Sequence, residues 1–173
     1  MNIVLTGFMA SGKTEISKEL AKLLGFKLVD TDEYIVKKTG MSINEIFEKM
    51  GESEFRRIEH DAICEVSKSD NTVISTGGGV PVNPQNMKRL RENSIIVNLA
   101  PTFDVIEARM ESARQTRPLM KDQDIGQIKK RFDDRRPFYD DCDIKVPVSN
   151  EHPPKYFAEY ILNKIHNEAH SYE

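Results

Sequence analysis

The sequence predicts an α/β fold in which a parallel β-sheet is covered by helices on both faces. Two observations predict this class. Five short apolar runs alternate with segments of helical period, and the first run leads through a glycine-rich loop into a helix. Strands that alternate with helices are typical of βαβ units and a parallel sheet. The 173 residues, 38% hydrophobic and 31% charged, are expected to form one domain spanning 1–173.

The predicted strands are short apolar runs bounded by polar or turn-forming residues. They cover residues 3–6, 26–30, 72–76, 95–99 and 144–148. Helical spacing of apolar residues predicts helices at 15–24, 43–50, 54–68, 102–111 and 155–168, with others from about 33, from 84 and up to 135–137. Gly25 ends the first helix, Ser42 and Glu45 form a capping box before 43–50, and Asn83 precedes a proline at a helix start.

The segment 112–124 does not fit this alternation. It has few apolar residues, no clear period and two arginines, Arg114 and Arg117. A loop of this length in a compact domain is usually functional or disordered. Because phosphate chemistry must exclude water, we interpret the segment as a mobile arginine-bearing lid, with a plain surface excursion as the alternative.

Residues 7–14 match the pattern Gly-x-x-x-x-Gly-Lys-Ser/Thr between a predicted strand and a predicted helix. Gly7 and Gly12 allow a sharp turn that brings backbone N–H groups toward phosphate oxygens. Lys13 can reach the β- and γ-phosphates, and the Thr14 hydroxyl can ligate Mg²⁺. The sequence therefore predicts that the protein binds ATP or GTP.

Composition excludes several other classes. The net charge of −3 gives no general attraction to nucleic acid or to an anionic membrane. No apolar run approaches the ~18 residues of a membrane span, and no cleavable signal is recognised. The two cysteines, Cys64 and Cys142, and the scattered histidines form no zinc motif. We expect a cytoplasmic protein that binds neither nucleic acid nor membrane.

Asp30 and Asp32 end the second predicted strand, at the edge of the sheet where open α/β folds bind ligands. A carboxylate beside a phosphate loop can bind Mg²⁺ through water or take a proton from an attacking hydroxyl. The alternative is that Asp30 or Thr31 only caps the helix that starts near Glu33.

Gly77, Gly78 and Gly79 follow the third predicted strand. Three glycines at the carboxyl end of a strand allow a small ligand to touch the backbone directly, whereas an ordinary turn does not need three. We therefore predict ligand contact here, with Ser75 placed to hold a metal-bound water.

Two arginine segments are candidates for binding an anion. Arg56 and Glu59 are three residues apart on one helix, so they share a face and can form an ion pair that fixes the guanidinium. Arg57 points elsewhere and is expected to be solvated. Arg135 and Arg136 stand at the predicted end of a helix, and spacing alone does not distinguish them.

Together these segments make the chain resemble the shikimate kinases. The shared segments run in order from Asn2 to about Pro154. They are the phosphate loop at 7–14, Asp-Thr-Asp at 30–32, Ile-Phe at 46–47, Gly-Glu-Ser-Glu-Phe-Arg-Arg-Ile-Glu at 51–59, Gly-Gly-Gly at 77–79, Arg-Pro-Leu at 117–119 and Arg-Arg-Pro-Phe-Tyr at 135–139. A large superfamily shares the first segment, whereas the Phe-Arg-x-x-Glu, triple-glycine and Arg-Pro-Leu segments are much more specific.

The resemblance implies transfer of the γ-phosphate of ATP to the 3-hydroxyl of shikimate, in the route to chorismate and the aromatic amino acids. It implies a nucleoside-monophosphate-kinase-like three-layer fold with a five-stranded parallel sheet of order 2-3-1-4-5. It also implies a mobile lid at about 112–124, substrate-binding helices at about 31–68, and a monomer.

The resemblance further implies roles for individual residues. The catalytic residues would be Lys13, Asp32 and Arg117, and shikimate would contact Asp32, Arg56, Gly78, Gly79 and Arg135. The nucleotide would contact Ala10, Ser11, Gly12, Lys13, Thr14, Glu15 and Arg117. Mg²⁺ would be held directly by Thr14, with Asp30 and Ser75 acting through water.

Two regions depart from the family pattern. Glu15 stands where shikimate kinases commonly carry Thr or Ser. The backbone N–H of Glu15 can still bind the α-phosphate. Its carboxylate is expected to weaken nucleotide affinity or to alter metal preference. The adenine region is poorly matched. There, Arg109 or Arg114 could stack on the base, and residues 153–154 could form one side of its pocket. His152 stands where many members carry an arginine.

The sequence leaves two other functions open. One is a kinase for another small hydroxy acid, such as gluconate, on the same scaffold. The other is a regulatory switch that hydrolyses GTP. Guanine-specific switches usually carry Asn-Lys-x-Asp, and the most similar string here, Asn-Lys-Ile-His at 163–166, lacks the aspartate.

Overall fold

A parallel β-sheet forms the centre of the molecule. The computed structural model describes the backbone of residues 1–116 and 124–170, and the side chains of these residues except 114–116, 169 and 170. The strands within this part are β1 (Asn2–Gly7), β2 (Lys27–Asp30), β3 (Thr72–Ser75), β4 (Ser94–Leu99) and β5 (Ile144–Val146), in the order β2-β3-β1-β4-β5. Each pair of neighbours is parallel. The predicted α/β class and strand order are confirmed.

Helices precede and follow the strands. They are α1 (Lys13–Leu24), α2 (Thr31–Thr39), α3 (Ile43–Met50), α4 (Glu52–Val66), α5 (Pro84–Arg91), α6 (Phe103–Thr116), α7 (Ile125–Asp140) and α8 (Pro154–His170), with a 3₁₀ turn at Val80–Val82. Among the described residues, no helix combines the length and apolar character needed to cross a membrane.

The central strands β3, β1 and β4 are largely buried on both faces, whereas the edge strand β2 is partly exposed. Successive side chains of a strand point to opposite faces. Leu5 of β1 therefore packs with Leu20 of α1 and Ile161 of α8 on one face. Val4 packs with Ile63 of α4 on the other face. The result is the predicted arrangement of three layers, with the sheet in the middle.

Helices α2, α3 and α4 have an apolar cluster of their own beside the sheet. Ile35, Ile46 and Phe55, one from each helix, are almost completely buried in it. This cluster holds the first turns of α2 and α4 at the carboxyl edge of the sheet, where ligands bind in open α/β folds.

Two predicted helix ends are wrong. α6 continues to Thr116 instead of ending at 111, so residues 112–116 of the predicted lid are helical. Residues 117–123 of that lid lie outside the described residues. α7 continues through Pro137 to Asp140. A proline inside a helix removes one backbone hydrogen bond, but the last turn is stabilised because Tyr139 is buried with Phe8 and Ile128.

Candidate active site

The phosphate loop connects β1 to α1. Gly12 adopts a left-handed conformation with φ +93°, which favours glycine. No side chain of the described residues caps α1, so the N–H groups of its first turn are available to an anion. The hydroxyl of Ser11 is buried without a hydrogen-bond partner in the described part of the chain. An unpaired buried hydroxyl and free N–H groups together suit a phosphate ligand.

Lys13 folds across this loop. Its ammonium donates to the carbonyl oxygens of Gly7 and, at 3.3 Å, Phe8. Burial lowers the pKa of Lys13 to about 8, although the carboxylates of Asp32 and Asp30 act in the opposite direction. The amine of Lys13 therefore titrates near neutral pH, and a nearby negative charge favours its protonated form.

The segment after β2 carries both predicted carboxylates. Asp30 accepts a hydrogen bond from the N–H of Glu33 at 3.0 Å, so it caps α2, as the alternative interpretation held. It also pairs in register with Ser75 of β3, which places these two predicted metal-site residues side by side. Burial, followed by the neighbouring carboxylate of Asp30, raises the pKa of Asp32. A raised pKa makes a carboxylate a better proton acceptor.

The glycine turn at Gly77–Gly79 contacts three charged side chains in succession. A Cβ built on Gly77 would lie 2.8 Å from Oδ1 of Asp32, and one on Gly78 would lie 3.1 Å from Nη1 of Arg135. A Cβ on Gly79 would lie 2.9 Å from Cζ of Arg56. The sequence predicts that a ligand needs this bare backbone. The structure shows that protein side chains occupy part of that space.

Arg56 is held by a buried carboxylate. Its Nη1 donates to Oε1 of Glu59 at 3.0 Å, which confirms the predicted pair. Only 2% of the Glu59 side chain is exposed, and burial raises the pKa of its carboxyl despite Arg56. Arg57 is mostly exposed and pairs with Glu54 and Asp61, as a solvated residue can.

Arg135 reaches the site from α7. Its guanidinium lies over the ring of Phe8, 6.0 Å from the centroid. Tyr139, four residues later on the same face, donates its hydroxyl to the carbonyl of Gly78 at 2.6 Å. Arg136 instead lines a separate cavity of about 80 Å³. Sequence reasoning missed Tyr139 because Pro137 indicated that the helix ends. The i, i+4 spacing from Arg135 was the available signal.

A cavity of about 620 Å³ opens between α4, the glycine turn and α7. Arg56, Arg135 and Gly79 line it, together with Lys130 and Arg131 at its α7 side. Its volume is in the range of small-molecule sites. The cluster of guanidinium groups suits a carboxylate ligand, because each guanidinium can offer two parallel N–H donors.

A second cavity of about 360 Å³ lies on the other side of the phosphate loop. Arg109 and Pro154 line it, whereas the side chain of Arg114 is outside the description. Arg109 donates to the carbonyl of Ala10 at 2.7 Å, which ties this wall to the phosphate loop. His152 also lines the cavity and stacks on Tyr156 with ring centroids 3.8 Å apart.

Glu15 also lines the second cavity. Its side chain is exposed and lies 3.8 Å from the ammonium of Lys18. The extra carboxylate therefore has a partner and points away from the buried part of the loop.

The described residues contain no cluster of three or more metal-ligating His, Cys, Asp or Glu side chains. Thr14, at the exposed start of α1, and Asp30 are the predicted Mg²⁺ donors. Arg117, predicted for catalysis and nucleotide binding, lies outside the described residues.

A phosphate loop, a neighbouring cavity with paired guanidinium groups, and a carboxylate between them define a small-molecule kinase of the P-loop class. A family model described as shikimate kinase matches residues 9–166. A shikimate kinase from Caldicellulosiruptor bescii is 48% identical over 163 residues, 94% of each chain.

Solved structures of shikimate kinases have the same fold as this chain. A shikimate kinase from Acinetobacter baumannii in complex with shikimate superposes with a TM-score of 0.86, at 31% identity over 96% of this chain and 93% of that one. The enzyme from Aquifex aeolicus gives 0.81 at 34% identity over 98% of both chains. The chain belongs to the shikimate kinase family, and it is an ATP-dependent kinase.

The lowered pKa of Lys13 predicts proton uptake on nucleotide binding. Near pH 8 the free protein carries the ammonium in about half of its molecules. Phosphate charge favours the protonated amine, so ATP binding at pH 8 takes up as much as about half a proton. Titration calorimetry in buffers of different ionisation enthalpy measures this number. The Lys13→Arg variant, which stays charged, is expected to take up none, while Lys18→Arg keeps the uptake. Absence of uptake by the wild type would contradict the account.

Proposed function

We propose that the protein transfers the γ-phosphate of ATP to the 3-hydroxyl of shikimate. The observation that carries this proposal is the convergence of Arg56, Arg135 and Asp32 on one glycine turn beside the phosphate loop. A small acid with a reacting alcohol needs cations for its carboxylate and a carboxylate near its hydroxyl. The glycine turn brings both kinds of group to one edge of the sheet, the cations at Gly78 and Gly79 and the carboxylate at Gly77.

Arg56 and Arg135 hold the substrate carboxylate from two directions. Arg56 comes from α4, and Glu59 fixes its guanidinium. Arg135 comes from α7, and its guanidinium lies over the ring of Phe8. Because each guanidinium is already oriented, little side-chain freedom is lost when the acid binds. The backbone of Gly78 and Gly79 is proposed to line the same pocket, beside these two guanidinium groups.

Asp32 accepts the hydrogen bond of the attacking hydroxyl and takes its proton as the new P–O bond forms. The raised pKa of Asp32 suits this role, because it brings the proton affinity of the carboxylate closer to that of the attacking hydroxyl. Lys13 lies near enough to Asp32 to interact with its charge, so the hydroxyl and the γ-phosphate meet between the two residues.

Phosphoryl transfer needs positioning and neutralisation of charge more than covalent help. The loop N–H groups and Lys13 bind the phosphates. Thr14 and Asp30 would hold Mg²⁺, with Ser75 beside Asp30. The bound ion would supply positive charge that offsets the charge developing on the transferred phosphate. Arg117 is proposed to add positive charge at the transferred phosphate, and the adenine base is proposed to bind between Arg109 and Pro154.

A substrate panel tests this proposal. The protein is incubated with ATP labelled at the γ-phosphate and with shikimate, gluconate or no acceptor. Label in phosphoshikimate alone supports the proposal. Label in phosphogluconate would indicate a kinase for another hydroxy acid, and release of phosphate alone with a preference for GTP would indicate a regulatory switch.

Replacing Asp32 tests the proton acceptor. The Asp32→Asn variant keeps the shape of the side chain but cannot take a proton, so turnover is expected to fall by about 10²-fold or more. ATP affinity and the melting temperature should change little. In the wild type, turnover falls as pH drops through the raised pKa of Asp32, and this acid limb disappears in Asp32→Asn. The exposed Asp133→Asn serves as a control in steady-state assays. Near-normal turnover of Asp32→Asn would exclude the role.

Matched substitutions on α4 test the carboxylate site. Arg56→Lys keeps the charge but loses the planar fork, so shikimate affinity is expected to fall by about 1–3 kcal/mol. Arg57→Lys, one residue away and exposed, is expected to change it by less than about 0.5 kcal/mol. Titration calorimetry with shikimate and, separately, with ATP measures both. Equal effects of the two substitutions, or a loss confined to ATP, would show that Arg56 does not bind the acid.

A further inference from the structure

A second polar cluster lies between α4 and α5, and none of its members lines the cavities described above. Its members are Cys64 and His60 on α4 and Asn86 on α5. His60 and Cys64 are four residues apart, so they share a face of the helix. Nε2 of His60 lies 3.5 Å from Sγ of Cys64, and Nδ1 lies 2.8 Å from Oδ1 of Asn86.

The hydrogen bonds fix which nitrogen of His60 carries the proton. Asn86 is fully buried, and its amide nitrogen donates to the carbonyl of Val80 at 3.1 Å. A carbonyl can only accept, so the NH₂ group must face Val80 and the amide oxygen must face His60. That oxygen also only accepts, so Nδ1 of His60 is the protonated nitrogen.

In this tautomer the other ring nitrogen, Nε2, bears a lone pair. Nε2 is therefore a base directed at the thiol of Cys64, and the ring is held in this orientation by Asn86. A nucleophile, a base within reach and a third group that orients the base make up the arrangement that activates catalytic cysteines.

We infer that Cys64 is a reactive thiol, activated by His60, that exchanges with small-molecule disulfides. Nε2 takes the thiol proton as Sγ attacks one sulfur of the disulfide. The Sγ–S bond forms while the S–S bond of the disulfide breaks, and the departing thiolate recovers the proton from Nε2. The protein gains a mixed disulfide, and one small thiol is released.

Cys142 provides an internal comparison. Like Cys64 it is half-buried and unpaired as a disulfide. Burial raises the pKa of the Cys142 thiol, which leaves less of the reactive thiolate at neutral pH. The two cysteines of the chain therefore differ in local chemistry more than in exposure.

The modified residue would be connected to the proposed shikimate site through its own helix and through one hydrogen bond. His60 is one turn from Arg56 on the same helix face. Asn86 holds Val80, which directly follows Gly79. A mixed disulfide at Cys64 removes the thiol partner of His60 and adds bulk between α4 and α5. We expect the KM for shikimate to rise more than the KM for ATP, a consequence that rests on the proposed function.

The rate of disulfide exchange tests the inference without reference to kinase activity. The full-length protein is treated with glutathione disulfide at neutral pH, and the adduct at each cysteine is followed by peptide mass spectrometry. Because a positioned base contributes about 10²–10⁴-fold to proton transfer, Cys64 is expected to react at least about tenfold faster than Cys142. In the His60→Gln variant this advantage should be lost. Unfolding in urea should equalise the two rates in the wild type, which keeps the test valid if His60→Gln folds poorly.

Two outcomes would overturn the inference. Equal rates at Cys64 and Cys142 in the folded wild type would show that His60 does not activate the thiol. A folded His60→Gln protein that reacts as fast as the wild type would show the same. The link to the kinase site is measured with Cys142→Ser, where the adduct should raise the KM for shikimate, and with Cys64→Ser, which should be insensitive to the treatment. An adduct on Cys64 with unchanged KM would overturn that link alone.

Discussion

The contact between a bare backbone turn and three charged side chains constrains the rest of the site. Asp32, Arg135 and Arg56 lie against Gly77, Gly78 and Gly79, respectively, so closely that a Cβ at Gly77 or Gly79 would displace the charged side chain and one at Gly78 would press on it. The three side chains come from α2, α7 and α4, so one turn after β3 determines how closely three helices can bring their functional groups together. Their distance from the phosphate loop follows from the pairing of β3 with β1.

Burial changes the pKa of three charged groups at the site. It lowers the pKa of Lys13 and raises those of Asp32 and Glu59, and in each case a nearby opposite charge limits the shift. A separate apolar cluster of α2, α3 and α4 supports this arrangement, because it packs together the helices that carry Asp32 and Arg56. The packing of these helices thus determines both the shape and the electrostatics of the site.

Much of this arrangement could be predicted from the sequence. The phosphate loop has a local signature, and parallel strands bring their carboxyl ends to one edge, so the residues after β1, β2 and β3 had to meet. The pair of Arg56 and Glu59 follows from helix spacing. The role of Arg135 over Arg136 does not, because it depends on where α7 lies against the glycine turn. Tyr139 could not be predicted either, because Pro137 is a local signal for helix termination. The tertiary contacts of the last turn outweigh that signal.

Gly79 offers the most direct test of this account. Its backbone, at φ −87° and ψ −8°, is one that alanine adopts freely, so Gly79→Ala changes the contact with Arg56 and little else. A titration of the Gly79→Ala protein with shikimate, and then with ATP, measures the consequence. Shikimate affinity is expected to fall by about tenfold or more, equivalent to one charged hydrogen bond, while ATP affinity stays the same. Shikimate binding at wild-type affinity would contradict the claim that this turn positions the site.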